Sequence, residues 1–469
     1  MPVGPFDHRK KRFRCGPCST SHLKCSGTLP CSNCEKRGAS CTYPNQKPAN
    51  APILIDRGKQ KTLASYGAPA AVVRRVQVNA SPRADPALFY FYYFDIFLRK
   101  NSFSCQGKSS VDIKELMQRS TCGGYLKDAV LSLGAMEAVK LRSNDGPSQN
   151  ETYRFALNSY MRSVAGLRDA LEYHSHEPQL RHNVLWTTLL LGLFELMSDS
   201  TGQGWVQHIV HGTSKALVAS GPNACHSSFG KRFFTEVKIF EVCRAIVFNE
   251  PTFLAQPKWR ALSSKFQADL SDPEIHPLDE LLDIIVACSS LRVRVDGFIY
   301  ESQPTTAELL TTEAQDISIE SFVQRAALIE WNARNAQMLL ASTKVGVVFE
   351  GDDFLLLANI FFAATSIYLS GVFDYEITYW QNIEIPVATL TEDEIQVHVQ
   401  TILNMSKFVL DSSSVSPVLL LFPLRVAGAR SWRLSQQKCI LELLDKVEMT
   451  FSVAAAFKFE LGNLWATFV

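Results

Sequence analysis

Apolar residues recur at a spacing near 3.6 over most of the chain after Pro86, which predicts amphipathic α-helices. The spacing is clear in segments such as TYRFALNSYMRSVAGLRDALEY and VLWTTLLLGLFELMSD, whereas strand-like alternation is rare. The segment PALFYFYYFDIFLRK opens this region with a proline at a helix start and a dense aromatic face, which we expect to lie in the core. Roughly 380 residues, at mean helix lengths of about 11–12, predict an all-α array of about a dozen or more helices.

The stretch before this array lacks periodicity. From Pro44 to Pro86 it holds six prolines and no sustained heptads, which predicts a flexible linker without a dimerising coiled coil. Dimerisation through another surface stays possible. The predicted division is therefore a basic arm at 1–14, a cysteine-rich domain at 15–43, a linker at 44–85 and a large α-helical domain at 86–469.

One predicted helix is long enough to span a bilayer. The twenty residues from Phe354 to Phe373 carry no charge, but they include Asn359, Ser366 and Ser370 and are flanked by acids rather than basic anchors. A buried helix of a large α-helical domain is the better interpretation, and we expect no membrane partner. No apolar run follows the N-terminal charges, so we expect no secretory signal and no disulfide framework.

The charge is divided unevenly along the chain. Residues 1–50 hold nine Lys or Arg and two acids, a net charge of +7, whereas the other 419 residues carry −6. A basic head on a mildly acidic remainder favours a polyanion as the partner of the head alone.

Half of the twelve cysteines lie in the head, spaced C-x2-C-x6-C-x5-C-x2-C-x6-C. The six are Cys15, Cys18, Cys25, Cys31, Cys34 and Cys41. A structural zinc takes four ligands, so two zinc ions need eight metal–sulfur bonds, and six sulfurs supply eight if two of them bridge both metals. The sixteen-residue repeat indicates that the bridges are equivalent positions, one from each half.

The alternatives explain the six cysteines less well. A single four-cysteine site leaves two thiols over, and three disulfides need an oxidising compartment. We therefore predict two Zn²⁺. The head contains few large aliphatic residues, Leu23 and Leu29, so metal binding has to supply its folding energy, on the order of 10 kcal/mol for a structural zinc.

This stretch resembles the DNA-binding domains of the fungal binuclear zinc-cluster transcription factors, and PCSNCEKRGASCTYP is very similar to the second half of their motif. The resemblance implies double-stranded DNA as the partner, two short helices that each start near a CxxC, and bridging by Cys15 and Cys31. It implies one zinc on Cys15, Cys18, Cys25 and Cys31, and the other on Cys31, Cys34, Cys41 and Cys15.

The resemblance also implies that basic residues just before the third cysteine read a CGG triplet in the major groove. Here that segment is STSHLK, which keeps Lys24 but has His22 where the base-reading lysine is expected. A lysine can donate to guanine with a full charge, whereas a largely neutral histidine brings little attraction. Two interpretations stay open: His22 weakens or alters triplet recognition, or it rests near a phosphate.

Basic residues outside the cysteines predict phosphate contacts. Arg12 and Arg14 belong to the arm HRKKRFR, and Lys36 and Arg37 follow Cys34. Such contacts supply affinity and salt dependence rather than sequence information. The run RKKR also has the composition of a nuclear-import signal, and both interpretations place the protein in the nucleus.

The helical region carries a looser resemblance, over about residues 86–469. LLLGLFELMSDSTGQGWVQHIVHGTSKALVASGP is similar to the middle of the second type of fungal-specific transcription-factor domain, with Trp205, His208 and Gly212 at its spacing. This implies a regulatory domain that recruits the transcription machinery or co-regulators.

The sequence does not favour an enzyme. No nucleophile elbow, phosphate-binding loop or dinucleotide motif is present. His208 and His211 lie one helical turn apart without an evident third ligand, so we expect them to be structural. The scattered cysteines are expected to act as small buried hydrophobes. They are Cys105, Cys122, Cys225, Cys243, Cys288 and Cys439.

Together these patterns predict a mostly α protein with a small zinc cluster, a linker and a large helical array. The predicted function is zinc-dependent, sequence-specific DNA binding that regulates RNA polymerase II transcription. The resemblance to related factors further implies that the protein recognises CGG-type sites and controls one pathway or a secondary-metabolite gene cluster. The alternative is a nuclear interaction or scaffold protein whose zinc module no longer reads bases, and STSHLK motivates it.

Overall fold

A computed structural model of the chain describes residues 32–38, 86–104, 109–119, 124–142, 147–173, 178–202, 212–269, 276–302, 312–342, 352–387 and 389–467. The chain divides into two compact units. The smaller unit contains the described residues 32–38, and the larger unit, here called the body, contains the described residues from 86 to 467.

The described residues are mostly α-helical, as the 3.6-residue spacing predicts, with three short 3₁₀ segments among them. The smaller unit contributes α1 (Ser32–Lys36). The body contributes α2 (Pro86–Lys100), α3 (Ser109–Arg119), α4 (Gly124–Lys140), α5 (Gln149–Tyr173), α6 (Pro178–Ser198), α7 (Ser214–Ser220), α8 (Ser228–Phe248), α9 (Pro257–Ala268), α10 (Pro277–Ser302), α11 (Thr312–Ser342), α12 (Asp353–Asp374), α13 (Ile377–Asn382), α14 (Glu392–Ser412), α15 (Leu421–Ala429), α16 (Leu434–Glu448) and α17 (Ala454–Trp465). Sixteen helices in the described part of the body confirm the expectation of a dozen or more.

Polar caps fix where two central helices begin. The Asp352 carboxylate accepts hydrogen bonds from the backbone N–H groups of Phe354 and Leu355, at 3.0 and 3.1 Å, and so starts α12. Thr391 and Glu394 form a reciprocal capping box at the start of α14. One of the acids that flank the apolar segment Phe354–Phe373 is therefore a helix cap.

The aromatic face of α2 packs into the body, as its sequence predicts. Tyr90 and Phe94 are almost fully buried, and the Tyr90 ring stacks on that of Phe155 at a centroid distance of 4.3 Å. Tyr92 is the exception, with 59% of its surface exposed, because consecutive residues of a helix point in different directions.

One continuous hydrophobic core runs through the body, from the aromatic residues of α2 to Trp465 in α17. Among the described helices, α12 is long and apolar enough to cross a membrane, but 83% of its most apolar window is buried inside the body. Such burial is typical of a core helix in a large α-helical domain, which is the interpretation that its sequence favoured.

Hydrogen bonds join two segments of the body that are distant in the sequence. Ser102 and Val415 form an isolated parallel bridge, in which the Ser102 N–H donates to the carbonyl of Ser414 at 2.8 Å. The buried Ser416 hydroxyl donates to the Asn101 side-chain oxygen at 3.0 Å. The residues after α2 are thereby fixed to the residues after α14.

Three scattered cysteines are buried, which confirms their predicted role as small hydrophobes: Cys225, Cys243 and Cys288. Burial raises the pKa of the Cys225 and Cys288 thiols to about 12 and that of Cys243 further still. These thiols are therefore protonated at neutral pH, unlike thiolates that bind a metal. Cys439 is half-buried, while Cys105 and Cys122 lie outside the described residues.

The close approach of α2 to α4 depends on Gly134. A Cβ atom at this position of α4 would lie 2.0 Å from the carbonyl oxygen of Tyr90 in α2. We expect Gly134→Ala to push the two backbones apart and to lower the free energy of unfolding by about 2–3 kcal/mol. Urea unfolding of the full chain measures this loss.

Gly462→Ala is the matched control, because a Cβ there, on an exposed turn of α17, meets no atom within 4 Å. This control is expected to be neutral or slightly stabilising. Equal stability of the two variants would contradict the close packing of α2 on α4.

Candidate zinc-binding and DNA-binding site

The described part of the head is the second CxxC helix and the turn that ends it. α1 begins directly after Cys31, and the N–H groups of Arg37 and Gly38 donate to the carbonyls of Cys34 and Glu35, each at 3.2 Å. Gly38 has a φ of +58°, the left-handed conformation that commonly follows a helix and that glycine adopts without strain. A short helix near the second CxxC is what the resemblance implied.

Cys34 points away from solvent, while its neighbours do not. Its exposed fraction is 2%, whereas Glu35, Lys36, Arg37 and Gly38 are all exposed. A buried sulfur on a short helix whose other described side chains are exposed fits a zinc ligand better than a core residue of a self-sufficient fold, because the segment has little apolar surface to bury. The residue therefore fits the metal that the cysteine spacing implies.

Lys36 and Arg37 are exposed, as a contact with phosphate requires. They lie on and just after the helix that carries Cys34, so the metal that holds this sulfur would also position both charges. One short segment thus carries both exposed cations beside the buried sulfur.

The other predicted site residues lie outside the described residues. They are the ligands Cys15, Cys18, Cys25, Cys31 and Cys41, and the DNA contacts His22, Lys24, Arg12 and Arg14. Their zinc bonds and base or phosphate contacts stay predictions, as do the roles of Cys34, Lys36 and Arg37.

The described residues of the body offer no second metal site. No group of three or more His, Cys, Asp or Glu side chains is placed there to hold an ion. Of the fungal-domain motif residues, Gly212 lies just before α7, while Trp205, His208 and His211 fall outside the described residues.

The body contains one feature that sequence reasoning missed. Arg292 of α10, together with Arg425 of α15 and Arg430 at its end, lines a common cavity of about 140 Å³, so that two distant segments of the chain meet there. No local motif marks these arginines, since only the packing of α10, α12 and α15 brings them together.

Comparison with known proteins identifies the domain family of the head and that of the body. Residues 13–50 match the model of the fungal Zn(2)-Cys(6) binuclear cluster domain. Residues 88–467 match that of the fungal specific transcription factor domain, and so cover most of the body.

A curated relative, the uncharacterized protein AN5342 of Emericella nidulans, is 25% identical over 236 residues. The match spans 48% of this chain and 48% of the relative, so it covers about half the length of each. No solved structure matches.

The role of Cys34 can be tested by metal content. We expect Cys34→Ser to reduce bound zinc below two ions per chain after dialysis against a weak chelator, because serine replaces a thiolate ligand with a poor one. Zinc released in the presence of a colorimetric indicator gives the stoichiometry. Cys439→Ser, a half-buried position in the body, is the control and should leave the zinc content unchanged. Two zinc ions retained by Cys34→Ser would remove Cys34 from the ligand set.

Proposed function

The chain belongs to the fungal specific transcription factor domain family, and on that premise we propose that it regulates RNA polymerase II transcription from specific sites in nuclear DNA. The observation that carries the proposal is the presence in one chain of a DNA-binding Zn(2)-Cys(6) cluster at residues 13–50 and this regulatory domain at 88–467.

The cluster binds two zinc ions, which supply the folding energy and the rigid frame of the head. We propose that the six head cysteines hold them, with Cys15 and Cys31 as the shared sulfurs. Within this frame, basic side chains would provide the attraction to the DNA backbone. Lys36 and Arg37 are exposed and would contact phosphates, and Arg12 and Arg14 of the arm would add to that attraction.

Base recognition would come from the segment STSHLK. Lys24 keeps a full charge one position before Cys25 and can donate to guanine O6 and N7. His22 stands where the related domains carry a second such lysine, and a neutral imidazole has one N–H to donate. We therefore propose CGG-type sites that are recognised more weakly, or in an altered form, at the base pair that faces His22.

The body is proposed to be the regulatory half. Its continuous core gives a rigid surface on which co-regulators or the transcription machinery can assemble. We further propose that the protein controls one pathway or a secondary-metabolite gene cluster. This part of the proposal is based on what related factors do rather than on a residue of this chain.

The second candidate is a nuclear interaction protein with a purely structural zinc module. It is favoured by the loss of basic residues at Ser19, Thr20, Ser21 and His22, because phosphate contacts alone give affinity without sequence preference.

The two functions differ in how binding depends on sequence. We expect the full chain to bind CGG-containing duplexes more tightly than scrambled ones, and both affinities to fall steeply with salt because counterions are released. Fluorescence anisotropy over a salt series measures both. Equal affinities for the two duplexes at every salt concentration would contradict a sequence-specific regulator and favour the interaction protein.

The position of His22 can be tested by restoring the lysine. If His22 lies at a base edge, His22→Lys should strengthen the preference for CGG over scrambled DNA by about 1–3 kcal/mol, or roughly fivefold to 150-fold. His226→Lys is the control, since it adds the same charge at an exposed position of the body. If both variants raise affinity equally on both duplexes, His22 does not read a base.

A further inference from the structure

The arginine-lined cavity of the body is a separate feature from the head, and nothing in the DNA-binding function requires it. It is lined by Arg292, Arg425 and Arg430, by Tyr368 and Tyr375, and by aliphatic residues of α12 and α15. Its volume of about 140 Å³ is close to that of an engineered cavity that holds one benzene molecule. A single small ring therefore fits.

Each guanidinium is held in place by one carboxylate. Arg292 donates from Nε to Asp296 at 3.1 Å, Arg425 pairs with Glu460 through Nε and Nη2 at 3.0 and 2.8 Å, and Arg430 donates from Nη2 to both oxygens of Asp374. The three carboxylates balance the three positive charges, so the cavity has no large net field.

The residues that line the cavity include all three arginines but none of the three carboxylate residues paired with them. The ion pairs orient the cations before a ligand arrives, which lowers the cost of binding. A ligand in the cavity would therefore contact the arginines rather than the carboxylates paired with them.

Two of the arginines keep N–H groups that the described residues do not use. A guanidinium carries five N–H bonds. Within the described ranges, Arg292 donates from Nε and from Nη1, the latter to the carbonyl of Gly371 at 3.0 Å, and Arg430 donates from Nη2. Nη2 of Arg292 and the Nε and Nη1 groups of Arg430 are left for a ligand.

The aromatic residues add apolar surface without adding negative charge. The Arg430 guanidinium lies 4.4 Å from the centre of the Tyr375 ring, a cation–π contact that fixes both groups. The Tyr368 hydroxyl donates to the Asn249 side chain at 3.1 Å, and burial raises the pKa of this phenol, so it stays neutral at physiological pH.

We propose that this cavity binds a small organic carboxylate with a compact apolar body, about the size of one aromatic ring. The carboxylate accepts hydrogen bonds from the planar guanidinium groups of Arg292 and Arg430, a pairing that arginine favours over other cations. The apolar body contacts the tyrosine rings and the aliphatic wall.

Benzoate is the probe, and benzamide is its neutral counterpart of nearly equal size and shape. Isothermal titration of the full chain should show benzoate binding at least tenfold more tightly than benzamide, because only benzoate offers a charged acceptor. Inorganic phosphate at equal concentration should not displace benzoate. No benzoate binding, equal binding of the two probes, or displacement by phosphate would each overturn the proposal.

Arg292→Gln is the first variant, because the Arg292–Asp296 pair is more exposed than the Arg430–Asp374 pair and its loss should leave the fold intact. Benzoate affinity should fall about tenfold. Arg334→Gln is the matched control, since Arg334 also pairs with an acid four residues away on a helix, α11, but lies outside the cavity. Unchanged affinity in Arg292→Gln, or an equal loss in Arg334→Gln, would contradict the site.

Gly371→Ala tests the cavity without touching a charge. The added Cβ would lie 3.2 Å from Nη2 of Arg430 and 3.3 Å from the Tyr375 ring, so it narrows the cavity while the helical backbone of α12 accepts alanine. We expect benzoate binding to weaken at least fivefold and the ligand-free melting temperature to remain close to that of the wild type. Gly462→Ala, with open space around its Cβ, should bind benzoate as the wild type does. Full binding by Gly371→Ala would place the ligand elsewhere.

Discussion

Coordination of zinc by thiolates is the interaction on which the DNA-binding half of this protein depends. The head holds two large aliphatic residues, Leu23 and Leu29, within its cysteine region, too few to offset the conformational entropy of ordering the chain. Two zinc ions, at an order of 10 kcal/mol each, exceed anything that such a segment gains from burial. The buried sulfur of Cys34, on a helix whose other described side chains face solvent, is the structural observation that fits this constraint.

The body is stabilised by the opposite means. Its helices bury a continuous apolar core, and its buried cysteines stay protonated because burial raises their pKa. The same residue type thus has two expected roles in one chain. The spacing in the head predicts that its cysteines are metal ligands, whereas apolar surroundings in the body make cysteine a small buried hydrophobe.

Periodicity predicted the kind of structure well, because helix formation is largely local. The proline start of α2 at Pro86, the burial of Tyr90 and Phe94, and the buried helix from Asp353 to Asp374 all follow from patterns within a few turns. The exposure of Tyr92 was not predicted, since it depends on which face of α2 meets α4 and α5. The cavity was beyond sequence reasoning altogether. Arg292 and Arg430 are far apart in the chain, and only tertiary packing places both beside Gly371.

Native mass spectrometry of the intact chain tests the central claim most directly. Because two shared sulfurs would couple the metals, we predict a mass of the chain plus two zinc ions, and simultaneous loss of both as a chelator is added. A chain that carries one zinc, or none, under native conditions would contradict it, as would stepwise loss through a stable one-zinc form.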